Sequence, residues 1–427
     1  MTPRYIGLLC LELLAFILGG IMFYLNLFII IFVGIIINLS FKKIKIPPLI
    51  GYLILGIVIN YCGLLDENIA IISPYLRKIA LIIILVKAGL SLNLSDLKKV
   101  GKNAILMSFL PATVEMIVVG LVAPLIFNIT FIESFLLGSV LGAVSPAVVV
   151  PMMTKLIDEK RGVKKGVPQL ILASSSIDDI IMLVFFQAFL ALESGNALSF
   201  MSFANIFIAI FTGIIVGLLI GYLLNILFKY IDINDNLKLA LLLSIGIGLT
   251  LLEDYLSKYI LFSSLLAVIT YSILVKRQKE EVSQKLTTKC SSVWIVAEMF
   301  LFFLVGASIK VEYASKYLLT ALLILVISLF FRAIAVFISL IKSGFNKKER
   351  IFTVISYMPK ATVQASIGGI LLDLGNKMLE NNQINAEFVI NAGIIVLSVS
   401  VLAILITAPI SALIMNLSYK KLLTEDA

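Results

Sequence analysis

Long apolar runs separated by short polar segments dominate this chain. They fall at roughly 5–24, 26–41, 47–65, 75–95, 103–128, 131–156, 165–192, 201–230, 237–256, 260–275, 288–309, 315–341, 350–375 and 387–417. About 20 apolar residues are what an α-helix needs to cross the hydrocarbon of a bilayer. The pattern therefore predicts an all-α polytopic membrane protein with fourteen transmembrane helices, or thirteen if the first two closely joined runs act as one. The start, MTPRYIGLLCLELLAFILGG, has the basic residue and apolar stretch of a signal peptide. It lacks a small-residue cleavage site and apolar sequence continues directly after it, so it is expected to stay as the first helix. No long linker or low-complexity segment interrupts the pattern, and the chain reads as one membrane unit.

Charge gives the runs a direction. When the N-terminus is placed in the cytoplasm and the sides alternate fourteen times, 25 of the 34 Lys and Arg residues lie on the cytoplasmic side, 6 outside and 3 within the runs. That segregation is the positive-inside bias, and it predicts both termini in the cytoplasm. Composition agrees: 61% of residues are hydrophobic and 14% charged, with a mean hydropathy of +1.11, against about 45–50% and about 25% in soluble domains. The net charge of +9 follows from the cytoplasmic loops, so no nucleic-acid partner is expected; the partner is the lipid bilayer. Three scattered cysteines, Cys10, Cys62 and Cys290, make neither a disulfide framework nor a metal cluster. There is no histidine, hence no imidazole ligand or switch. The eighth run carries Gly213, Gly217 and Gly221, a small-residue ridge that lets two helices approach closely, expected inside the protomer rather than at a dimer seam.

A few ionisable groups lie at membrane depth: Glu115, Asp178, Asp179, Arg332 and Lys360, with Lys87, Glu12 and Glu298 as further candidates. Each costs about 2.5–3.5 kcal/mol on insertion scales and persists when paired, solvated or functional. Asp178 and Asp179 stand together in ASSSIDDIIMLVFF. Successive helical residues differ by about 100° around the axis, so one aspartate is free to face a solvated cavity while the other faces a fixed partner. Ser174 and Ser175 lie one turn earlier, and Ser175 shares a face with Asp179. A carboxylate with hydroxyls and water suits a hard cation, and a carboxyl group held out of water takes a proton more readily. Such a site holds either. Glu115 and Arg332 each sit near the middle of a run and invite a buried pair; Arg332 could equally pair with Asp178.

Two runs carry helix-breaking chemistry. The sixth reads LGAVSPAVVVPMM, with Pro146 and Pro151; the thirteenth reads YMPKATVQASIGG, opened by Pro359. Proline frees an upstream carbonyl, which inside a membrane must be satisfied by protein, water or an ion. Ser145 beside the first break and Thr362 and Gln364 after the second are further oxygen donors for an ion. Two such runs are the mark of paired discontinuous helices around a site. Spacing suggests an inverted repeat: Pro146 follows Glu115 by 31 residues, and 31 residues after Arg332 is Val363. Runs five to seven and twelve to fourteen are seven helices apart, and an odd offset reverses direction.

The stretches GAVSPAVVVP, KGVPQLILASSSIDDI and GFNKKERIFTVISYMPKATVQASIG resemble the cation:proton antiporter superfamily, and in particular the NHA-type sodium/hydrogen exchangers of subfamily B. The likeness runs from about Asn26 to Asn416. It implies an inverted-repeat antiporter fold with two crossed discontinuous helices and a likeness-based homodimer. It implies scaffold and dimerisation helices at 1–100 and 196–310, core repeats at 101–195 and 311–417, and a cytoplasmic tail at 418–427. Asp179 matches the family's ion-binding, proton-carrying aspartate and Asp178 its neighbour; Arg332, Glu115 and Lys360 match its membrane-embedded charge partners. Arg332 stands where many electrogenic members carry lysine. An always-charged arginine would hold Asp178 ionised and leave Asp179 alone to cycle.

The function expected is Na+ (or Li+)/H+ antiport across the cytoplasmic membrane by alternating access, with both ions competing for Asp179 and with Asp178 beside it as the metal site of the transported ion. No cofactor is expected beyond that substrate, and no enzymatic activity. K+/H+ exchange would use the same residues. A cation channel would need a continuous polar pore, whereas the polar residues cluster at one depth. A hydrolase built on two adjacent carboxylates, with no histidine, has less to support it.

Overall fold

A computed structural model describes residues 22–43, 46–91, 102–193, 200–231, 233–256, 263–278 and 280–425. The first apolar run, with Cys10 and Glu12, falls almost wholly outside the described residues. The other thirteen runs each land on one helix or on an interrupted series of two or three helices.

The helices are α1 (Met22–Phe41), with a π-helical stretch at Ile29–Val33, then α2 (Pro48–Tyr61), α3 (Glu67–Ser91) and α4 (Lys102–Phe127). An interrupted pair follows, α5 (Phe131–Gly142) and α6 (Pro146–Asp158), and then α7 (Val167–Glu193). Next come α8 (Phe200–Tyr230), α9 (Asp235–Leu256), α10 (Ser264–Gln278) and α11 (Glu280–Ser308). A short α12 (Val311–Lys316) precedes α13 (Leu318–Ser339). A second interruption divides α14 (Lys347–Ser356), α15 (Thr362–Ile367) and α16 (Ile370–Glu380), and α17 (Ala386–Leu422) closes the bundle. Among the described residues ten helices are long and apolar enough to cross a membrane, counting α5–α6 as one; α2 and α10 are shorter apolar helices.

Local chemistry starts these helices where the sequence needs them. Thr130 and Glu133 form a reciprocal capping box that opens α5, and Asn346 and Glu349 do the same for α14. Proline occupies the first position of α2 and of α6, where its missing N–H is one the helix would not use.

Packing falls into two groups. In one, α4 lies against α5, α7 and α13, and α16 against α17; in the other, α2 and α3 pack on α11, and α8 on α10. Small residues permit the closest crossings. A Cβ on Gly56 would stand 2.0 Å from the Phe303 carbonyl oxygen and one on Gly306 2.1 Å from that of Leu53, so α2 and α11 meet backbone to backbone. The ridge of Gly213, Gly217 and Gly221 faces Ser263, Ala267 and Leu274 at α10, which makes it internal packing, as expected.

One expected break is corrected. Pro151 lies inside α6, which runs without interruption from Pro146 to Asp158. Neighbouring protein and small local adjustments satisfy the backbone around a proline in such a helix, so Pro151 does not end it. The interruptions lie at Ala143–Ser145 and at Tyr357–Ala361.

Candidate ion-binding site

The two interruptions touch. The Ser145 amide donates to the Pro359 carbonyl at 2.9 Å, and the Thr362 amide donates to Ser145 Oγ at 3.4 Å. The Ser145 and Thr362 hydroxyls are 3.5 Å apart. Helix restarts at Pro146 and at Thr362. Each interruption leaves backbone groups that a continuous helix would have paired, and burial makes their satisfaction obligatory.

Side chains from other helices take up those groups. Gln364 Nε2 donates to the carbonyls of Val140 at 2.8 Å and Ala143 at 3.1 Å, at the end of α5. Arg332, projecting from α13, donates from Nη1 to the Gly142 carbonyl at 2.5 Å and from Nε to the Tyr357 carbonyl at 2.6 Å. The C-terminal ends of α5 and α14 carry partial negative charge, so a guanidinium between them is favourably placed. Thr407 of α17 accepts the Lys360 amide at 2.8 Å.

The same two cations organise the carboxylates. Arg332 binds Glu115 through Nη1 at 2.5 Å and Asp178 through Nη2 at 3.2 Å. Lys360 Nζ donates to Glu115 at 2.6 Å, and the Ser328 hydroxyl donates to the other Glu115 oxygen at 3.2 Å. The sequence left Glu115 and Asp178 as alternative partners for Arg332; the fold gives it both. Asp179 stands apart. It makes no ion pair among the described contacts, its Oδ1 is buried without a hydrogen-bond partner, and it is 9% exposed, whereas Glu115, Asp178, Arg332 and Lys360 are at 0%.

The charges do not balance. Among the described residues of this cluster, three carboxylates meet two cations. Glu115 and Asp178 are the two that are paired, so the surplus negative charge belongs to Asp179. Unsatisfied oxygens adjoin the crossing: the neutral amide Oε1 of Gln364 and the carboxylate Oδ1 of Asp178 are also buried without a partner. A surplus of one negative charge with unsatisfied oxygen acceptors is the chemistry of a site for a single positive charge.

The expected hydroxyls are arranged less directly. Ser174 Oγ donates to the Leu170 carbonyl at 2.6 Å and Ser175 Oγ to that of Leu172 at 3.2 Å. Both hydroxyl protons are committed to α7 itself, which leaves lone pairs as what these serines can offer. Ser145, Thr362 and Gln364 lie at the crossing. Lys87, outside the cluster, sits 5.9 Å from the Trp294 ring centroid.

Sequence reading missed Tyr357, Ser328 and Thr407. The Tyr357 ring lies 5.1 Å from the Arg332 guanidinium carbon and is fully buried, where a cation over an aromatic face is attracted by its quadrupole. Its position next to Met-Pro at a break was the only available signal. Ser328 is one helical turn before Arg332 and so was findable by spacing; Thr407 was not.

The architecture defines the class. The solved structure of the sodium proton antiporter MjNhaP1 from Methanocaldococcus jannaschii at pH 8 matches with a TM-score of 0.81, covering 95% of this chain and 99% of that one at 22% identity. This is a likeness of fold. The family follows from sequence: residues 27–413 match the profile described as sodium/hydrogen exchanger, transmembrane, and the chain belongs to that family. It is similar to sodium/hydrogen exchanger 9B2 of Xenopus tropicalis, 35% identical over 90% of this chain and 72% of the relative. It is also similar to sodium/hydrogen exchanger 9B1 of Mus musculus, 33% identical over 91% and 69%. The chain is a multi-pass membrane protein of a cation/proton antiport family.

Proposed function

We propose that the protein is a Na+ (or Li+)/H+ antiporter in which the two ions compete for Asp179. The observation that carries this reading is the lone surplus carboxylate: Asp179 is unpaired and slightly exposed, while every other charge of the cluster is buried and matched. One proton or one alkali cation neutralises the site, and the two together would leave it with an excess charge. Occupancy is therefore exclusive, which is what exchange requires.

The remaining residues prepare the site. Arg332 pairs with Asp178 and braces the carbonyls of Gly142 and Tyr357, so that Asp178 is held in place as a second oxygen ligand beside Asp179. Glu115 holds Lys360 and Arg332 in place, and Gln364 ties α15 to the end of α5. Ser145, Thr362, Ser174 and Ser175 supply neutral oxygens. The neutralised site crosses low dielectric at little cost, whereas the bare Asp179 carboxylate is held back by its desolvation penalty. Empty return, which would short-circuit exchange, is suppressed.

In this reading the core of residues 101–195 and 311–417 moves against a scaffold of 1–100 and 196–310 in a homodimer. Both termini and the lysine-rich loops face the cytoplasm, and the protein resides in the plasma membrane. The name of the similar relatives, sodium/hydrogen exchanger, favours Na+ over K+ as the cation.

The test is reconstitution in liposomes with an imposed pH gradient and Na+, Li+ or K+ added in turn. Cation-dependent proton efflux is expected. Exclusive binding also predicts that the Na+ concentration for half-maximal exchange rises about tenfold per unit fall in pH in the range where Asp179 is protonated, because linkage between the two ligands is reciprocal. Exchange that persists undiminished in Asp179→Asn would overturn the assignment, and current without proton coupling would point to a channel.

A further inference from the structure

A cavity of about 490 Å3 opens at the end of the bundle where α6 and α17 finish, between those helices and Ile46 just ahead of α2. It is unconnected with the charge cluster. Its two ends differ in chemistry. At one end Lys155, in the last turn of α6, and Lys420, in the last turn of α17, flank the Tyr419 ring, their Nζ atoms 4.4 and 5.9 Å from its centroid. Away from them Leu417, Leu413 and Pro409 follow each other at intervals of four residues, which places them on one helical face. Leu413 and Leu417 are 60% and 69% exposed.

Among the described residues the charge at the basic end is not cancelled locally. Glu159 lies 3.8 Å from Lys155, but Arg161 also claims it at 3.6 Å and pairs with Glu425 as well. Among the described residues three cations, Lys155, Arg161 and Lys420, thus meet two carboxylates, and neither carboxylate lines the cavity. The C-terminal partial charges of α6 and α17 offset part of the excess without removing it.

We infer that this cavity is a binding site for an anionic phospholipid. Its phosphodiester sits between Lys155 and Lys420, and an acyl chain lies along Leu417, Leu413 and Pro409. The charge complementarity and the continuous apolar stripe leading from the ammonium groups into the membrane fit that amphiphile and not a free anion, which would leave the stripe uncovered. The same helix, α17, carries both the cavity wall and a contact of the charge cluster. Pro409 is two residues from Thr407, whose hydroxyl accepts the Lys360 amide, and Ile46 belongs to the opposite side of the cavity. A lipid seated here bridges α6 and α17 to the chain entering α2.

The experiment uses the purified, delipidated full chain in detergent, with thermal unfolding and native mass spectrometry after addition of phosphatidylglycerol, phosphatidylcholine or inorganic phosphate. Phosphatidylglycerol should stabilise the protein more than phosphatidylcholine and be retained in defined stoichiometry. Each lysine near a lipid surface contributes about a fivefold preference for the anionic lipid, so Lys155→Ala/Lys420→Ala should lower that preference roughly 25-fold. Lys155→Arg/Lys420→Arg should keep it. Lys347→Ala/Lys348→Ala, on exposed residues at the start of α14, should also keep it. The inference is overturned if the two lipids stabilise equally, if the Lys347/Lys348 variant loses the preference as fully as the Lys155/Lys420 variant, or if phosphate alone reproduces the shift.

Discussion

Removing the Arg332 guanidinium tests the charge accounting on which the functional reading rests. Arg332→Ala deletes hydrogen bonds to Glu115, Asp178, Gly142 and Tyr357 at one stroke. Glu115 retains Lys360 and Ser328; Asp178 is left fully buried without its cation. The cluster then holds three carboxylates against a single cation, so its surplus goes from one negative charge to two. Breaking a buried ion pair by deleting one partner costs about 3–5 kcal/mol. At roughly 2–4 °C per kcal/mol this is a fall in the melting temperature on the order of 10 °C. The assay is thermal unfolding of the solubilised protein across a Na+ series. The double variant Arg332→Ala/Asp178→Asn restores the original surplus of one, so it should recover a substantial part of the loss, with a coupling of about 1–3 kcal/mol between the two sites. Strictly additive effects, or a single variant costing under about 0.5 kcal/mol, would refute the claim that Arg332 compensates the buried Asp178 carboxylate.

Other expectations follow from particular contacts. In proteoliposomes Asp179→Asn should abolish Na+-driven proton movement, and Asp179→Glu should retain part of it, since only the carboxylate supplies the titratable surplus charge. Gln364→Leu strands the carbonyls of Val140 and Ala143 and should cost about 1–3 kcal/mol for each that stays unpaired, read as a lower melting temperature. Gly56→Ala places a Cβ 2.0 Å from the Phe303 carbonyl oxygen and should cut the yield of monodisperse protein by forcing α2 from α11, while Gly248→Ala, with nothing within 4 Å, should be tolerated. Arg77 holds Asp373 through two 3.0 Å contacts between α3 and α16. Either single neutralisation should destabilise by about 1–3 kcal/mol, and the swap Arg77→Asp/Asp373→Arg should return part of it in the same unfolding assay.

Much of this protein is legible along the chain because a bilayer imposes a one-dimensional rule. Every span must be apolar and internally hydrogen-bonded, so the runs announce the helices and every exception announces a reason. Glu115, Asp178, Asp179, Arg332 and Lys360 stood out on that ground alone, and all but Asp179 meet in one network of contacts. The interruptions were readable from Pro146 and Pro359, although Pro151 showed that proline alone does not decide where a helix stops.

What the tertiary structure decided is who partners whom. Residue spacing limits which side chains share a face of one helix, but partner choice between helices depends on crossing distances that no local pattern encodes. Thus Arg332 takes both acids that sequence offered as alternatives, Lys360 joins it on Glu115 from 245 residues away, and Tyr357 and Thr407 enter only because the chain folds back on the breaks. The identity of the unpaired carboxylate is likewise a three-dimensional fact: Asp178 and Asp179 are adjacent and chemically identical, and only the approach of Arg332 to one of them leaves the other without a matching charge.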